Sequence, residues 1–247
     1  MNVIIHRIVN QMIKDEDSWQ AMIIGQTGTG KSLTAIKLCQ MIDPTFNIDR
    51  IVLKPQDFLK LINTDLPPGA AILADEIGSW MSGRDWMTTQ NKLMSLVLET
   101  YRFRRLAVLW TVPTMRMVDI NLRSLCHVII ETVAIDRTNE QCEIKFKYHS
   151  VNPQSGKIYD KFPVINNSVI TRIKVKRPDA YIENQYIKKK SEHMAEMYKD
   201  VEDKLNSKIG NTENEYTHEC NKCGHKIFSR KPIPQCSSCG SRDCYVL

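Results

Sequence analysis

Long apolar runs are missing from this chain of 247 residues. No stretch approaches the roughly 18 consecutive apolar residues that a membrane-spanning helix needs. The apolar part of the segment that starts at Met1 is also too short for a secretory signal peptide. We therefore expect a protein without membrane insertion that works in the cytoplasm, or in the host cytoplasm if it is viral.

Internal repeats and extended low-complexity segments are absent as well. The chain has no N-K-x-D segment of the GTPase kind. It also has no helix-turn-helix pattern and no aromatic RNA-binding signature, so sequence-specific recognition of nucleic-acid bases is not indicated. What is present is an apolar content of 42%, which is enough for a sizeable core, and a net charge of +6. That charge mildly favours binding to polyanions, but a basic surface exposed to solvent explains it equally well.

Residues 25–32 are the most informative segment, because they match the phosphate-binding pattern G-x-x-x-x-G-K-[ST]. An apolar strand-like run, 20–24, precedes them, and a helical pattern, 33–39, follows. The glycines let successive backbone N–H groups point at phosphate oxygens, and the helix dipole adds to the attraction. The candidate nucleotide-binding residues here are Gly25, Gln26, Thr27, Gly28, Thr29, Gly30, Lys31, Ser32 and Leu33.

An acidic pair, Asp75 and Glu76, ends a second apolar run at 70–75 and has the form of a Walker B element. In this interpretation Lys31 contacts the β- and γ-phosphates of ATP, and Ser32 together with Asp75 holds Mg²⁺. Glu76 is then placed to orient and deprotonate the attacking water.

Strand-like and helix-like patterns alternate from about residue 18 to 135, which predicts a mostly parallel sheet with crossover helices. The further predicted strands are 50–53, 107–111 and 127–133, and the predicted helices are 55–61, 88–104 and 118–125. A strand between the P-loop and the acidic pair, followed by an adjacent glutamate, marks the ASCE division of P-loop ATPases. The predicted fold class is therefore α/β, a RecA-like ASCE P-loop NTPase.

A cation supplied by a neighbouring subunit can stabilise the charge on the transferred phosphoryl group. The candidates for this arginine finger are Arg102, Arg104, Arg105 and Arg123, and a surface or DNA-facing role is equally compatible with each. Thr111, at the end of the predicted strand beside the acidic pair, is a candidate polar sensor of the γ-phosphate. Its alternative is an ordinary strand residue.

Over residues 18–135 the chain resembles the FtsK–HerA superfamily of DNA-pumping ATPases. The resemblance depends on 25–32, on 72–76, and on the run 105–113 followed by 119–123, which gives the order arginine, apolar strand, polar sensor, proline and I-x-x-R. The short core is most similar to the genome-packaging ATPases of tailless icosahedral viruses. Many members carry Gln where this chain has Val112, so Thr111 would have to supply the polar group.

The resemblance implies a homo-oligomeric ring, a hexamer or a pentamer, that translocates double-stranded DNA, plausibly into a capsid. Two alternatives remain open. One is an ATPase that drives phage, filament or conjugative assembly, as in related assembly and coupling ATPases. The other is a nucleotide-dependent adaptor without translocation.

Beyond residue 136 the pattern changes to alternation, as in antiparallel strands, with predicted strands at 143–148 and 169–175. A charged helical stretch, 179–205, and a polar linker, 206–217, follow. The predicted domains are thus an ATPase domain at 1–205 with a β-rich extension from about 136, the linker, and a small module at 218–247.

Two C-x₂-C-G turns separated by twelve residues define that module. Each turn presents two sulfurs to one ion, so the pattern predicts a Zn²⁺ site of zinc-ribbon type. Disulfides and a rubredoxin-like iron site are the alternatives. The predicted ligands are Cys220, Cys223, Cys236 and Cys239, with His225 and Cys244 as extra residues nearby.

Metal binding would supply the folding energy of so short a module. The folded module is then expected to bind nucleic acid or a partner protein such as a capsid protein. By contrast, Cys39, Cys126 and Cys142 have apolar surroundings and are predicted to be small buried hydrophobes. The basic stretches at 172–177 and 188–190 could line a pore or follow a phosphate backbone, and a solvated face is the alternative.

Overall fold

A computed structural model describes residues 2–14, 16–80, 104–118, 120–152, 154–210, 216–229, 235–242 and 244–246. The chain divides into two compact units, 1–190 and 191–247. No helix among these residues combines the length and the apolarity needed to cross a bilayer.

Five parallel strands form the centre of the first unit: β1 (Trp19–Ile24), β2 (Ile51–Val52), β3 (Ala71–Ala74), β4 (Ala107–Val112) and β5 (Val128–Asp136). Their spatial order is β5-β1-β4-β3-β2, and all neighbouring pairs are parallel. The strand that carries the acidic pair is thus separated from the P-loop strand by β4. The α/β fold class is confirmed, and its strand order is that of a RecA-like P-loop fold.

These strands are apolar throughout because both faces of the sheet are covered. Successive side chains alternate between two core clusters: Ile23 and Leu73 belong to one, whereas Met22 and Ile72 belong to the other. The first cluster also receives α1 (Asn2–Lys14) and α2 (Lys31–Ile42), and the second receives α3 (Pro55–Ile62).

Two short helices complete this region, α4 (Ile77–Trp80) after β3 and α5 (Ile120–Leu125) after β4. Short 3₁₀ turns cover Ile48–Arg50 and Met115–Met117. The predicted helix at 88–104 lies, except for its last residue, outside the described residues, as does Arg102.

The predicted β-rich extension is built on the edge of the same sheet. β6 (Gln141–Val151) pairs antiparallel with β5, with β7 (Ile158–Lys161) and with β10 (Ile173–Lys176). The strand predicted at 169–175 is divided, because its first residue belongs to a small hairpin. That hairpin consists of β8 (Val164–Ile165) and β9 (Ser168–Val169).

The helix predicted at 179–205 is α6 (Ala180–Gly210), five residues longer at its carboxyl end. The predicted linker 206–217 is correspondingly wrong at both ends, since its first residues are helical and its last belong to a strand. In the second unit β11 (Tyr216–Cys220), β12 (Lys226–Ser229) and β13 (Cys244–Val246) form an antiparallel sheet in the order β12-β11-β13.

Candidate functional site

The candidate site lies at the carboxyl ends of β1, β3 and β4. The P-loop follows β1, the acidic pair follows β3, and Thr111 is near the end of β4. Because these strands are parallel neighbours, their ends meet at one edge of the sheet, where ligands of open α/β folds bind. The order of the strands, rather than the order of the chain, therefore assembles the predicted site residues.

Glycine is required in the P-loop at two places for different reasons. Gly30 caps α2 with φ 83° and ψ 20°, a left-handed conformation that strains other residues. A Cβ at Gly25 would lie 2.2 Å from Oγ1 of Thr132 on the neighbouring strand β5. The Thr132 hydroxyl in turn is 2.7 Å from that of Thr29, so β5 supports the loop directly.

Lys31 is the first residue of α2, and its Nζ donates a hydrogen bond of 2.8 Å to the carbonyl oxygen of Gln26 within the same loop. Burial lowers the pKa of the Lys31 ammonium, and the positive charge of Lys190 adds to this. Asp75 and Glu76 oppose the shift. An ammonium group that is partly desolvated binds phosphate oxygens more strongly than one in water.

Asp75 is fully buried, and four donors surround its carboxylate. Ser32 Oγ donates to Oδ1 at 2.8 Å, and Thr111 Oγ1 donates to the same oxygen at 2.5 Å. The hydroxyl of Tyr186 donates to Oδ2 at 2.6 Å, and Nζ of Lys190 lies 3.4 Å from it. A buried carboxylate needs such partners, because an isolated buried charge is very costly.

The contact between Ser32 and Asp75 fits a magnesium site. A hydroxyl and a carboxylate oxygen 2.8 Å apart, beside a phosphate-binding loop, are oxygen ligands of the kind that Mg²⁺ prefers. The residues that the sequence predicted for Mg²⁺ are therefore brought together by the fold.

Glu76 differs from Asp75 in exposure, since 54% of its side chain is accessible. Its backbone has φ 55°, a conformation that costs a non-glycine residue about 1–3 kcal/mol and that clusters at active sites. The Glu76 N–H donates to Thr111 Oγ1 at 2.8 Å, and its Oε1 accepts from Lys190 at 2.6 Å. Thr111 thus connects the two acidic residues.

Tyr186 and Lys190 are the site residues that the sequence did not reveal. Both lie on α6, one helical turn apart, and Nζ of Lys190 is also 3.0 Å from the Tyr186 hydroxyl. The sequence feature that could have indicated them is the spacing of four residues between Ile182 and Tyr186, which places both side chains on one buried face of the helix. In the sequence this signal is masked by the surrounding charged residues.

The basic stretch 188–190 is consequently not a single exposed face. Lys189 Nζ donates to the carbonyl oxygens of Ile48 and Ile51 at 3.1 and 2.6 Å, and Lys190 contacts the acidic pair. Lys188 alone of the three is exposed. Within their own chain, two of the three lysines are thus engaged in contacts rather than pointing freely into solvent.

Of the predicted arginines, the three that the structure describes, Arg104, Arg105 and Arg123, do not line the P-loop cleft of their own chain. Arg105 precedes β4, whose six residues separate it by ~20 Å from the end where Thr111 lies, and its Nη2 pairs with Glu16 at 2.8 Å. Arg123 Nε donates to the carbonyl oxygen of Val118 at 2.9 Å, and Arg104 contacts the carbonyl oxygen of Thr64.

Two cavities adjoin the P-loop. One, of ≈ 570 Å³, is lined by Lys31, Ser32 and Glu76 and, from α6, by Tyr186 and Lys190. The other, of ≈ 280 Å³, also adjoins Gly30 and Leu33, and most of its surface is apolar. Its apolar lining comes from Leu33, Ile135, Cys142 and Val175, and polar or charged residues also line it, namely Thr34, Arg137, Glu140, Gln141, Lys176 and Arg177.

In the second unit the four predicted cysteine ligands converge. The Sγ atoms of Cys220, Cys223, Cys236 and Cys239 all lie within 4.8 Å of one another. The Cys220–Cys239 and Cys223–Cys236 pairs are both 3.7 Å apart, and the thiols are free rather than disulfide-bonded. Four sulfurs around one centre fit a tetrahedral zinc site.

The turns that carry these cysteines are alike. Gly224 N–H donates to the carbonyl oxygen of Cys220 at 2.8 Å, and Gly240 N–H donates to that of Cys236 at 2.9 Å. Backbone N–H groups of Cys239 and Ser238 lower the pKa of the Cys236 thiol, which favours the thiolate that binds metals.

The remaining cysteines of the first unit are buried, as predicted. None of Cys39, Cys126 and Cys142 forms a disulfide, and burial raises the pKa of Cys126 to about 12. Such thiols are inert small hydrophobes.

No family model and no curated protein matches this sequence. Among solved structures, the chain is similar to the N-terminal domain of zonular occludens toxin from Neisseria meningitidis, at 15% identity and a TM-score of 0.40, over 61% of this chain and 96% of that one. A RuvB variant from Thermotoga maritima is 16% identical, with a TM-score of 0.39, over 52% and 42% of the two chains.

A genome-packaging NTPase from Sulfolobus turreted icosahedral virus 2, in complex with AMP, is 11% identical, with a TM-score of 0.35, over 60% of this chain and 98% of that one. At this level of similarity the fold assignment depends on the strand order and the P-loop of this chain rather than on these structures.

Proposed function

We propose that this protein is an ATP hydrolase that forms a ring and translocates double-stranded DNA. The observation that carries the hydrolase assignment is the contact between Ser32 and Asp75 at the P-loop, with Glu76 adjacent. This is the constellation that phosphoryl transfer to water requires: a phosphate cradle, a metal-binding carboxylate and a second acidic group beside it.

The P-loop supplies most of the binding energy for the triphosphate. Backbone N–H groups of 25–32 and the amino end of α2 hold the phosphate oxygens, and Lys31 adds an ammonium group. Mg²⁺ held by Ser32 and Asp75 would neutralise phosphate charge and draw electrons from the γ-phosphorus. Lys31 must leave the Gln26 carbonyl to reach the phosphates, which its long side chain permits.

Glu76 is the proposed general base. Its carboxylate is exposed to the cleft of ≈ 570 Å³, so it can accept a proton from a water molecule next to the γ-phosphate. Thr111 fixes the backbone of Glu76 and the carboxylate of Asp75 with one hydroxyl. This couples the position of the base to that of the metal-binding group.

The cavity of ≈ 280 Å³ is the proposed site of the nucleoside. It adjoins Gly30 and Leu33, so a nucleotide with phosphates in the P-loop reaches it directly. Its mostly apolar wall suits a planar base.

DNA translocation and ring formation are proposed from the resemblance of the core motifs and from the net charge of +6. The cysteine cluster would hold one structural Zn²⁺, since its four sulfurs complete the coordination and leave no position for substrate. That module is proposed to contact nucleic acid or a capsid protein.

ATP hydrolysis measured with no nucleic acid, with linear double-stranded DNA, with single-stranded DNA and with RNA tests the proposal. The Glu76→Gln variant provides the blank. Stimulation by double-stranded DNA above the other three conditions is expected. If no nucleic acid changes the rate of hydrolysis, the protein is an assembly ATPase rather than a translocase. If the wild type hydrolyses no more ATP than the blank, the protein is not an ATP hydrolase.

A further inference from the structure

One face of α6 forms a wall of the triphosphate cleft. Glu183, Tyr186, Ile187 and Lys190 all line it, and their spacing of three, four and seven residues places them on one side of a helix. This wall comes from the same chain as the P-loop. The site therefore contains a second cationic group besides Lys31.

The start of α6 is fixed to the body of the first unit. Ile182 and Tyr186 are buried in the core, and Glu183 forms an ion pair with Arg177 at 2.5 Å. Asp179, just before the helix, accepts a hydrogen bond of 2.8 Å from Gln40 of α2. The backbone of Lys190, two turns beyond Ile182, is therefore held relative to the P-loop helix, while its four-carbon side chain keeps its freedom.

The charged groups of the cleft, apart from Glu183, which pairs with Arg177, balance in pairs. Asp75 and Glu76 face the ammonium groups of Lys31 and Lys190. Burial works against the charge of Lys190, but Asp75, Glu76 and Tyr186 outweigh it and raise the pKa of the ammonium group. Lys190 is thus a permanent cation in the physiological pH range.

A magnesium-bound triphosphate adds net negative charge to this cleft. Electrostatics then favours keeping Lys190 inside and sharing it with the phosphate oxygens rather than expelling it to solvent. Lys190 already lies 2.6 Å from Oε1 of Glu76, the proposed base. The γ-phosphate has to approach that same carboxylate through one water molecule, so it comes within reach of the ammonium group.

We propose that Lys190 is a catalytic cation supplied in cis, which binds the γ-phosphate and stabilises the charge that develops on it during hydrolysis. The proposal rests on the proposed ATPase function. It assigns to α6 the role that is otherwise expected of an arginine from a neighbouring subunit. Within one chain neither Arg105 nor Arg123 contacts this site, whereas Lys190 does.

The test compares Lys190→Met with Lys190→Arg and with the control Lys188→Met. Lys188 is exposed on the same helix, so its variant removes an equal charge outside the cleft. Binding of a non-hydrolysable ATP analogue and of ADP is measured with Mg²⁺ by fluorescence anisotropy, and turnover is measured with ATP. Circular dichroism melting confirms that each variant is folded.

For Lys190→Met we expect binding of the ATP analogue to weaken about tenfold to a hundredfold while ADP binding changes little, because only the analogue carries a γ-phosphate. Turnover is expected to fall by about a hundredfold or more, with partial recovery in Lys190→Arg. Lys188→Met should match the wild type.

Equal effects on the analogue and ADP, or tighter binding of both with faster turnover, would overturn the proposal. The second outcome would make Lys190 an inhibitory contact. Failure of the wild-type protein to bind either nucleotide would instead contradict the proposed function, so the two failures can be told apart.

Discussion

The hydroxyl of Thr111 donates a hydrogen bond of 2.5 Å to Oδ1 of Asp75. Oγ1 of Thr111 also accepts a hydrogen bond of 2.8 Å from the backbone N–H of Glu76. Because a hydroxyl has one proton and two lone pairs, it can perform both tasks at once. The polar end of β4 thereby sets the geometry of the acidic pair on the neighbouring strand.

Thr111→Val should destabilise the protein and slow hydrolysis, since it leaves a fully buried carboxylate and a backbone N–H without this partner. The expected loss in the free energy of unfolding is about 1–3 kcal/mol. Denaturant unfolding and steady-state turnover check it. Thr111→Ser retains the hydroxyl and should retain most of the activity. If Thr111→Val has the stability and turnover of the wild type, the hydroxyl is dispensable.

Glu76→Gln should bind ATP normally but lose turnover by about 10²–10⁴-fold, because an amide cannot accept the proton of the attacking water. Equilibrium nucleotide binding and phosphate release separate the two effects. Lys31→Ala is the contrasting variant, since it should weaken both binding and turnover. Normal hydrolysis by Glu76→Gln would mean that another group is the base.

Ile135→Trp should fill the cavity beside Gly30, because Cδ1 of Ile135 lies at that wall, 3.3 Å from where a Gly30 Cβ would be. ATP binding is expected to weaken, whereas binding of inorganic tripolyphosphate, which has no base, should be unchanged. Competition titrations with both ligands measure this. Equal weakening for both ligands would place the nucleoside elsewhere.

The Arg105→Ala variant tests whether Arg105 acts as an arginine finger at the site of a neighbouring subunit. Its ion pair with Glu16 is partly exposed and is worth at most about 1 kcal/mol, so folding should be preserved. If Arg105 acts on a neighbouring subunit, turnover falls while nucleotide binding persists, and Glu16→Gln, which breaks the same ion pair, has no such effect. Matching losses in both variants would indicate a structural role only.

Removal of metal should unfold the cysteine module, because a segment this short has too little apolar surface to fold by itself. We expect about one zinc per chain by elemental analysis of the purified protein. Cobalt substitution should give the absorption of a tetrahedral thiolate site, and Cys220→Ser should lose it. If the four clustered cysteines are enough to bind the metal, Cys244→Ser should keep this absorption.

Local patterns predicted much of this protein. The P-loop, the buried strands and the cysteine turns each depend on residues close in the chain, and backbone chemistry decides their conformation. The predictions of one continuous strand over 169–175 and of a helix end at Leu205 were less accurate. Hairpin pairing ends a strand early, and α6 continues because no glycine or proline stops it before Gly210.

The sequence by itself determined the chemistry: Lys31, Ser32, Asp75 and Glu76 are recognisable because phosphate and metal binding demand these residue types at these spacings. Only the tertiary structure decided which groups surround that chemistry. Lys190 is 114 residues from Glu76 along the chain, and no local pattern links them. Packing of α6 beside the P-loop helix brings the two together, because the helix must bury Ile182 and Tyr186 in the core.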